Sequence, residues 1–222
     1  MPTEPTAVPA KNPAYMAIVG ANVVFERMRD YRQALDRADL YRRFGGRFIV
    51  ARRPTKILEG AYPEDRLTLV VEFPDRAAAH GWWYSEDYQR IKPLRDGGGD
   101  LKIAVWDKLP APEAGGVPAT SGVPAAIMVV TAENLRGDGY RQYLRALRKQ
   151  GLLDRAGAVP LMGGKPVEIF EGDFPDDRNT VVIRFPSLAA VDRFWSAPEY
   201  AGVKRLRDNA GTLTVAIWER NL

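Results

Sequence analysis

The sequence has no cysteine and a single histidine, His80, among its 222 residues. Without thiols the chain has neither a disulfide framework nor a thiolate ligand or nucleophile, which suits a reducing cytoplasm. One histidine cannot supply a common zinc or non-haem iron site, and a C-x-x-C-H run for haem attachment is missing. We therefore expect no bound metal and no cofactor.

Long apolar runs and blocks of one charge are also missing. Runs such as residues 67–71 are a handful of residues long, whereas a membrane-spanning helix needs about 20. The formal net charge is only +4, and Lys and Arg are interspersed with Asp and Glu, whereas nucleic-acid binders gather basic residues on one face. We expect a soluble cytoplasmic protein that binds neither membranes nor nucleic acid.

The usual nucleotide and hydrolase motifs are absent too. The sequence contains no P-loop, no dinucleotide-binding glycine fingerprint and no G-x-S-x-G elbow. The glycines at 97–99 precede a predicted strand, whereas a phosphate-binding loop precedes a helix. These absences argue against nucleotide chemistry.

An internal repeat dominates what is present. Shifting the sequence by 112 residues places residues 54–107 over residues 166–219 without a gap, and 23 of these 54 positions are identical. Each copy spans about 100 residues, and two copies are too few for a solenoid, which needs about three. The repeat therefore predicts two compact domains produced by duplication.

The expected domain boundaries follow from composition. We expect a disordered leader over 1–12, a first domain over 13–109, a flexible linker over 110–124 and a second domain over 125–222. The linker is rich in proline, glycine and alanine and has almost no large apolar residue, so it cannot bury enough surface to order itself.

Periodicity in the first copy predicts one antiparallel sheet with helices on one face. Strands are expected at 15–21, 47–58, 66–73 and 101–106, and helices at 30–44, 75–84 and 86–95, with the second strand bent near Pro54. The order βαββαβ is that of the ferredoxin-like fold, in the α+β class. Because a sheet must cover its apolar face, we expect the sheets of the two copies to pack together.

A recurring pattern in both copies resembles a known family. The pattern is E-G-x-x-P-x-x-R, an apolar strand ending in F-P, a helix with an aromatic residue, and a tyrosine followed seven residues later by arginine. It occupies Glu59, Gly60, Pro63, Arg66, Phe73, Pro74, Trp83, Tyr88 and Arg95, and again Glu171, Gly172, Pro175, Arg178, Phe185, Pro186, Trp195, Tyr200 and Arg207. This resembles the domain-of-unknown-function family 1330, within the dimeric α+β barrel superfamily.

That resemblance implies a barrel built by two ferredoxin-like units, with a pocket in each unit between sheet and helices. Relatives in the superfamily include cofactor-free monooxygenases acting on polycyclic phenols, small-ring isomerases and haem-dependent chlorite-decomposing enzymes. Here the usual dimer is fused into one chain. Whether the chain also forms a homodimer, in addition to this intramolecular pairing, stays an open question.

Glu59 and Arg66 are candidates for catalysis and substrate binding. They flank a predicted hairpin between the second and third strands, where a structural ion pair is the simpler interpretation. A role of Glu59 in proton transfer and of Arg66 in binding a substrate carboxylate is the functional alternative.

Tyr88 and Arg95 lie seven residues apart and fall on one face of a helix, as do Tyr200 and Arg207. A phenol beside a guanidinium suits an anionic or enolic group, so we predict Tyr88 as catalytic and Arg95, Tyr200 and Arg207 as substrate-binding. The competing interpretation is an amphipathic helix with a packed tyrosine and a solvated arginine. Trp83 is either a core residue or part of the pocket lining.

His80 is the natural general base of any catalytic site, because its ordinary pKa lies near neutrality. A plain surface position on a helix is the alternative. The second copy has Asp192 at this place, so the first copy is favoured as the half that carries the site.

The sequence therefore predicts a protein that handles a small organic molecule. The leading hypothesis is a cofactor-independent enzyme that transfers a proton or adds oxygen to an aromatic or polyketide-like substrate. A non-catalytic module that binds a small ligand, and a structural interaction protein without a pocket, are the alternatives.

Overall fold

The computed structural model describes residues 12–110 and 125–220. Residues 1–11 of the predicted leader and 111–124 of the predicted linker lie outside the described residues. The first half contains β1 (Ala14–Ala21), α1 (Arg29–Arg37), α2 (Leu40–Arg43), β2 (Arg47–Val50), β3 (Lys56–Glu59), β4 (Leu67–Phe73), α3 (Arg76–Tyr84), α4 (Glu86–Ile91), a 3-10 turn (Lys92–Arg95) and β5 (Asp100–Asp107).

The second half repeats this order. It contains β6 (Ala125–Glu133), α5 (Gly139–Lys149), α6 (Leu152–Arg155), β7 (Val159–Met162), β8 (Glu168–Glu171), β9 (Asn179–Phe185), α7 (Leu188–Ser196), α8 (Pro198–Lys204), a 3-10 turn (Arg205–Arg207) and β10 (Thr212–Arg220). The predicted order βαββαβ is confirmed in both halves, once the divided second strand of each is counted as one.

The helix ends follow local sequence. The Asp75 side chain accepts a hydrogen bond from the Ala78 amide at 2.8 Å and caps α3 as predicted, and Ser187 caps α7 in the same way. The single helix expected over 30–44 is wrong, because Asp39 has φ +48° and divides it into α1 and α2. Aspartate tolerates this left-handed conformation better than most residues do.

Two five-stranded antiparallel sheets form the centre of the fold, in the orders β2-β4-β1-β5-β8 and β3-β10-β6-β9-β7. Each sheet therefore contains four strands of its own half and one strand of the other. The expected continuous strand over 47–58 is wrong: β2 pairs with β4 of its own half, whereas β3 pairs with β10 of the second half. Arg52 at φ +65° turns the chain between them, and Pro54 cannot donate to a sheet.

The inner faces of the two sheets pack against each other, as predicted. The buried cluster between them combines small residues, such as Ala17, Ala104 and Ala216, with two tryptophans, Trp106 and Trp218. Each sheet also covers a second apolar cluster beneath the helices of its own half. Each sheet thus buries both faces, the arrangement of a dimeric α+β barrel within one chain.

Along the described part of the chain, every helix is too short or too polar to cross a membrane.

Candidate functional site

The exchange of β3 and β8 carries a glutamate from each half into the helical layer of the other. Glu171, the last residue of β8, accepts two hydrogen bonds of 2.7 Å from the Arg95 guanidinium. Glu59, the last residue of β3, accepts bonds of 2.6 and 2.9 Å from Arg207. The two arginine side chains are only 6% and 3% exposed. Each glutamate and its arginine therefore form a largely buried bidentate ion pair between the halves, which we call a clamp.

Each clamp continues into a pair of tyrosines. Arg95 also donates to the Tyr88 hydroxyl at 3.3 Å, and the hydroxyl groups of Tyr88 and Tyr31 lie 3.2 Å apart. In the second half the hydroxyl groups of Tyr143 and Tyr200 are separated by the same 3.2 Å. All four rings are buried, so the repeat preserves a hydrogen-bonded chain from a surface-proximal carboxylate to a phenol in the core.

A lysine closes the outer side of each clamp. Lys92 lies 3.4 Å from the Glu171 carboxylate and 4.8 Å from the Trp83 ring centroid. Lys204 lies 2.9 Å from Glu59 and 4.4 Å from the centroid of the tryptophan that corresponds to Trp83. The ammonium groups therefore contact both a carboxylate and an aromatic face, an arrangement that stabilises a cation.

These contacts set the charge state of the clamps. Partial burial raises the pKa of Glu59, but the hydrogen bonds and charges of Arg207 and Lys204 outweigh it, so the pKa lies below its ordinary value. Partial burial also raises the pKa of Glu171, but the contacts with Arg95 and Lys92 outweigh it, so this pKa likewise lies below its ordinary value. Both carboxylates are ionised at neutral pH.

The predicted ion pair between Glu59 and Arg66 is wrong. Because β3 leaves its own half, no hairpin joins it to β4, and Glu59 reaches Arg207 instead. Arg66 donates to the hydroxyl groups of Thr131 and Thr214, both in the second half.

The three predicted catalytic residues have different partners. Tyr88 is fully buried in the clamp of the first half, whereas Glu59 completes the clamp of the second. His80 lies on the surface of α3 with its side chain 55% exposed, and its Nε2 is 3.8 Å from a Glu168 carboxylate oxygen. They do not converge on one reacting atom.

Of the residues predicted to bind substrate, Trp83 stacks on Phe170 of the exchanged strand β8 with 4.8 Å between ring centroids. Arg95 and Arg207 hold the clamps, and Tyr200 borders an open cleft. Their binding roles remain predictions. The described residues contain no group of three or more histidine or acidic side chains that could hold a metal.

The open cleft lies between α6, α7 and α8 of the second half and has a volume of about 220 Å³. We call it the helical cleft. Its apolar part is formed by Leu152, Ala156, Ala190, Phe194 and Ala197, and its polar part by Arg155, Arg193, Glu199 and Tyr200. Tyr200 is 2% exposed, and it joins the cleft to the buried clamp.

The corresponding space of the first half is filled by aromatic rings. Position 156 corresponds to Phe44 and position 193 to Gly81, and a Cβ placed on Gly81 meets the Phe44 ring at 3.3 Å. The fully buried Trp82 stacks on Tyr41 with 4.7 Å between centroids. The ring at 44 and the glycine at 81 therefore fit each other, and the second half has neither.

Charges close the first half as well. Arg43 forms an ion pair of 2.8 Å with Asp87 across this space. The corresponding Arg155 and Glu199 form no such pair within the described residues. The sequence favoured the first half as the site, but the open cleft is in the second.

Sequence reasoning missed Tyr31, Tyr143 and the lysines of the clamps as functional neighbours, although all four recur at the 112-residue offset. It also missed the helical cleft. The sequence did contain a signal for this cleft: Phe44 and Gly81 correspond to Ala156 and Arg193, so the two positions differ together between the copies.

The first prediction concerns the clamp of the first half. Replacing Glu171 by Gln leaves the Arg95 charge buried without its partner, and we expect the free energy of unfolding to fall by about 2–3 kcal/mol. Chemical denaturation monitored by circular dichroism measures this. The control is Asp192→Asn, which breaks the exposed cross-half pair with Lys56 at 2.7 Å; a loss below about 1 kcal/mol is expected there. Equal losses would contradict the role of burial.

The second prediction concerns acid. Since both clamp carboxylates have a lowered pKa in the folded state, their stabilisation is present above the ordinary glutamate pKa and is lost as the pH falls through the folded value. The unfolding free energy of the natural protein should therefore fall more steeply between about pH 5 and pH 3 than that of the Glu59→Gln, Glu171→Gln double variant. Parallel curves from denaturation at each pH would refute this.

Comparisons with solved structures show the same fold. A candidate monooxygenase from Fusobacterium nucleatum matches with a TM-score of 0.53 and 10% identity, covering 95% of this chain and 94% of its own. An anthrone oxidase-like protein matches with a TM-score of 0.52 and 8% identity, covering 94% and 91%. The likeness therefore includes both halves. No curated protein matches the sequence.

The family model of the domain of unknown function DUF1330 matches twice, over residues 13–109 and 126–221. The two matches fall on the two copies of the 112-residue repeat, and the family that the sequence pattern predicted is confirmed. The chain thus belongs to the DUF1330 family and consists of two of its domains fused in tandem.

Proposed function

We propose that the protein binds a small aromatic or enolisable organic molecule in the helical cleft and catalyses a cofactor-independent proton transfer on it. The observation that carries this proposal is the opening of a space in the second half that Phe44, Tyr41 and Trp82 fill in the first. A concave site whose lining combines apolar side chains with a few polar groups is the usual form of a ligand site.

The size of the cleft limits the ligand. Its volume of about 220 Å³ is below the range of about 300–1,000 Å³ that holds drug-sized molecules. A single aromatic ring with small substituents, or a short polyketide-like fragment, fits this space. The Phe194 ring offers an aromatic face for stacking.

The polar groups suit a ligand that carries or develops negative charge. Arg155 and Arg193 are exposed at the rim, and their guanidinium groups can bind a carboxylate, phenolate or enolate. Glu199 is the one carboxylate among the described residues that line the cleft, which makes it the candidate base for removing a proton. Tyr200 lies beneath, with its hydroxyl 3.2 Å from that of Tyr143.

In the proposed reaction, the ligand loses a proton from carbon to Glu199 while the arginines stabilise the enolate that forms. Return of the proton at another carbon completes an isomerisation. His80, Tyr88 and Glu59 have no part in this step, because they do not line the cleft. Oxygenation is a different outcome of the same enolate, in which dioxygen adds to its carbon and takes up a proton to give a hydroperoxide. Loss of water from that hydroperoxide leaves a carbonyl group.

One observation favours a second candidate, a non-catalytic ligand-binding protein. The Tyr200 hydroxyl is next to Tyr143, and Arg207 already holds Glu59, so the buried polar groups are occupied before a ligand arrives. The monooxygenase and anthrone oxidase-like names of the solved neighbours do not decide between the two, because a shared fold carries no activity by itself.

The third prediction tests the cleft. The Ala156→Phe, Arg193→Gly variant places the ring and the glycine of the first half in the helical cleft and removes one rim guanidinium, so it should fold normally and lose binding of one-ring phenols and aromatic carboxylates by at least about tenfold. Native mass spectrometry of a panel of these compounds, followed by calorimetric titration, measures the affinity. The control is Leu144→Phe, which adds a ring on the exposed surface of α5 and should leave binding unchanged.

Glu199→Gln then separates the two candidate functions. An enzyme loses turnover of any bound compound while keeping most of its affinity, whereas a binding protein shows no turnover before or after the change. Unaltered affinity in the filled variant would overturn the helical cleft as the binding site.

A further inference from the structure

A second cleft, independent of the helical cleft, lies at the end of the barrel where the β3–β4 loop approaches the starts of β5 and β9. Its volume is about 210 Å³, and both halves contribute to its lining, which includes Val19, Ala21, Arg66, Lys102 and Arg178. We call it the barrel-end cleft. Three cationic side chains and three carboxylates line it beside an apolar wall. Two of the cations already have partners, because Lys102 pairs with Asp173 and Arg178 pairs with Glu133.

The two arginines of this cleft are equivalent in the repeat but differ in their partners. Arg178 forms an ion pair of 2.9 Å with Glu133, the last residue of β6. The residue at the corresponding place beside Arg66 is Ala21. The first half thus keeps the arginine and lacks the carboxylate that neutralises it in the second.

Neutral groups take the place of that carboxylate. The Arg66 guanidinium donates to the hydroxyl groups of Thr131 at 3.2 Å and Thr214 at 3.5 Å, and it forms no ion pair within residues 12–110 and 125–220. Arg66 is only partly exposed. A partly desolvated charge without a counter-charge is unfavourable unless something pairs with it.

A second guanidinium increases the positive potential. Arg53 and Arg66 lie 5.4 and 6.0 Å from the centroid of the same ring, that of Tyr62. Arg53 donates to three backbone carbonyl groups, including that of Tyr62 at 3.0 Å, and no described carboxylate pairs with it. Tyr62 is 7% exposed, so the ring beside the two guanidinium groups is buried.

Carboxylates on the rim restrict the charge of a ligand. Asp65 and Asp100 also line the cleft, but both are exposed, and Asp100 accepts a hydrogen bond of 2.7 Å from the Asn22 amide. Water screens such exposed charges. Their negative charge still disfavours a dianion such as phosphate more than a monoanion, because Arg66 is the one lining cation without an ion pair among the described residues.

We infer that the barrel-end cleft is a binding site for a small organic monocarboxylate, held by Arg66. A planar guanidinium matches the two oxygens of a carboxylate. The compact apolar body of the ligand packs against Val19 and Pro63, which line the same cleft. This site lies outside the helical cleft, so it stands whether or not the proposed function is correct.

The divergence of the repeat supplies a sharp test. Ala21→Glu gives Arg66 the carboxylate that Arg178 already has, at a place where the second half accommodates it. Ala21→Gln adds a side chain of the same size without charge and is the matched control. Arg66→Gln removes the binding group itself.

The probe is sodium propionate, titrated into the full chain at constant ionic strength and followed by amide shifts in two-dimensional NMR spectra. The natural protein and Ala21→Gln should show saturable shifts at the amides of Ala21, Arg66 and their neighbours. Ala21→Glu and Arg66→Gln should raise the dissociation constant by at least about tenfold, with spectra that remain dispersed. Phosphate should produce no saturable shift there.

Shifts that stay linear with propionate, or equal affinity in Ala21→Glu and Ala21→Gln, would overturn the inference. If the Ala21→Glu variant loses spectral dispersion, the Arg66→Gln variant alone tests the inference. Unchanged affinity for propionate in Arg66→Gln would also overturn it. Loss of aromatic-ligand binding in the Ala156→Phe, Arg193→Gly variant has no bearing on this result, so the two proposals fail separately.

Discussion

The structure depends on the exchange of a short strand between the halves. Each half gives one strand to the sheet of the other, and each exchanged strand ends in a glutamate that pairs with a buried arginine. β3 and β8 complete the sheet of the opposite half, and their last residues neutralise guanidinium groups that the helical layers bury. A buried arginine without its carboxylate is strongly unfavourable. Each half therefore needs the other for its backbone pairing, its sheet face and its charge balance.

This mutual dependence explains why the halves could diverge elsewhere. The clamps and the barrel interior occur in both copies, so the fold persists while other positions change. In the second half, Ala156 and Arg193 replace the fitted Phe44 and Gly81 and open the helical cleft. In the first half, Ala21 replaces a carboxylate and leaves Arg66 unpaired. The two copies are identical at 23 of the 54 aligned positions, and each proposed site lies where the copies differ.

Local sequence was sufficient to predict most elements. β1 and β5 begin or end within one residue of the expected strands, because apolar alternation and flanking proline and glycine act over short distances. The cap at Asp75 was also predictable. The division of the helix at Asp39 was not predictable, because the sequence does not show whether an aspartate adopts the left-handed or the helical conformation.

The strand exchange and the partners of the clamp residues could not be predicted from one copy. Glu59 is close in sequence to Arg66 but pairs with Arg207, because pairing is decided by which sheet β3 joins. That choice depends on contacts between residues more than a hundred positions apart. Sequence comparison of the copies identified Tyr88, Arg95 and their equivalents as a recurring set, whereas their burial and the open helical cleft required three-dimensional packing.

The most direct test of this account separates the halves. Residues 12–110 and 125–222 are produced as two chains, singly and together, and native mass spectrometry with denaturation reports their assembly and stability. The account predicts that neither half alone is a stably folded monomer and that the mixture forms a one-to-one complex. A single half that stays monomeric and unfolds cooperatively, with the stability of the whole chain, would contradict it.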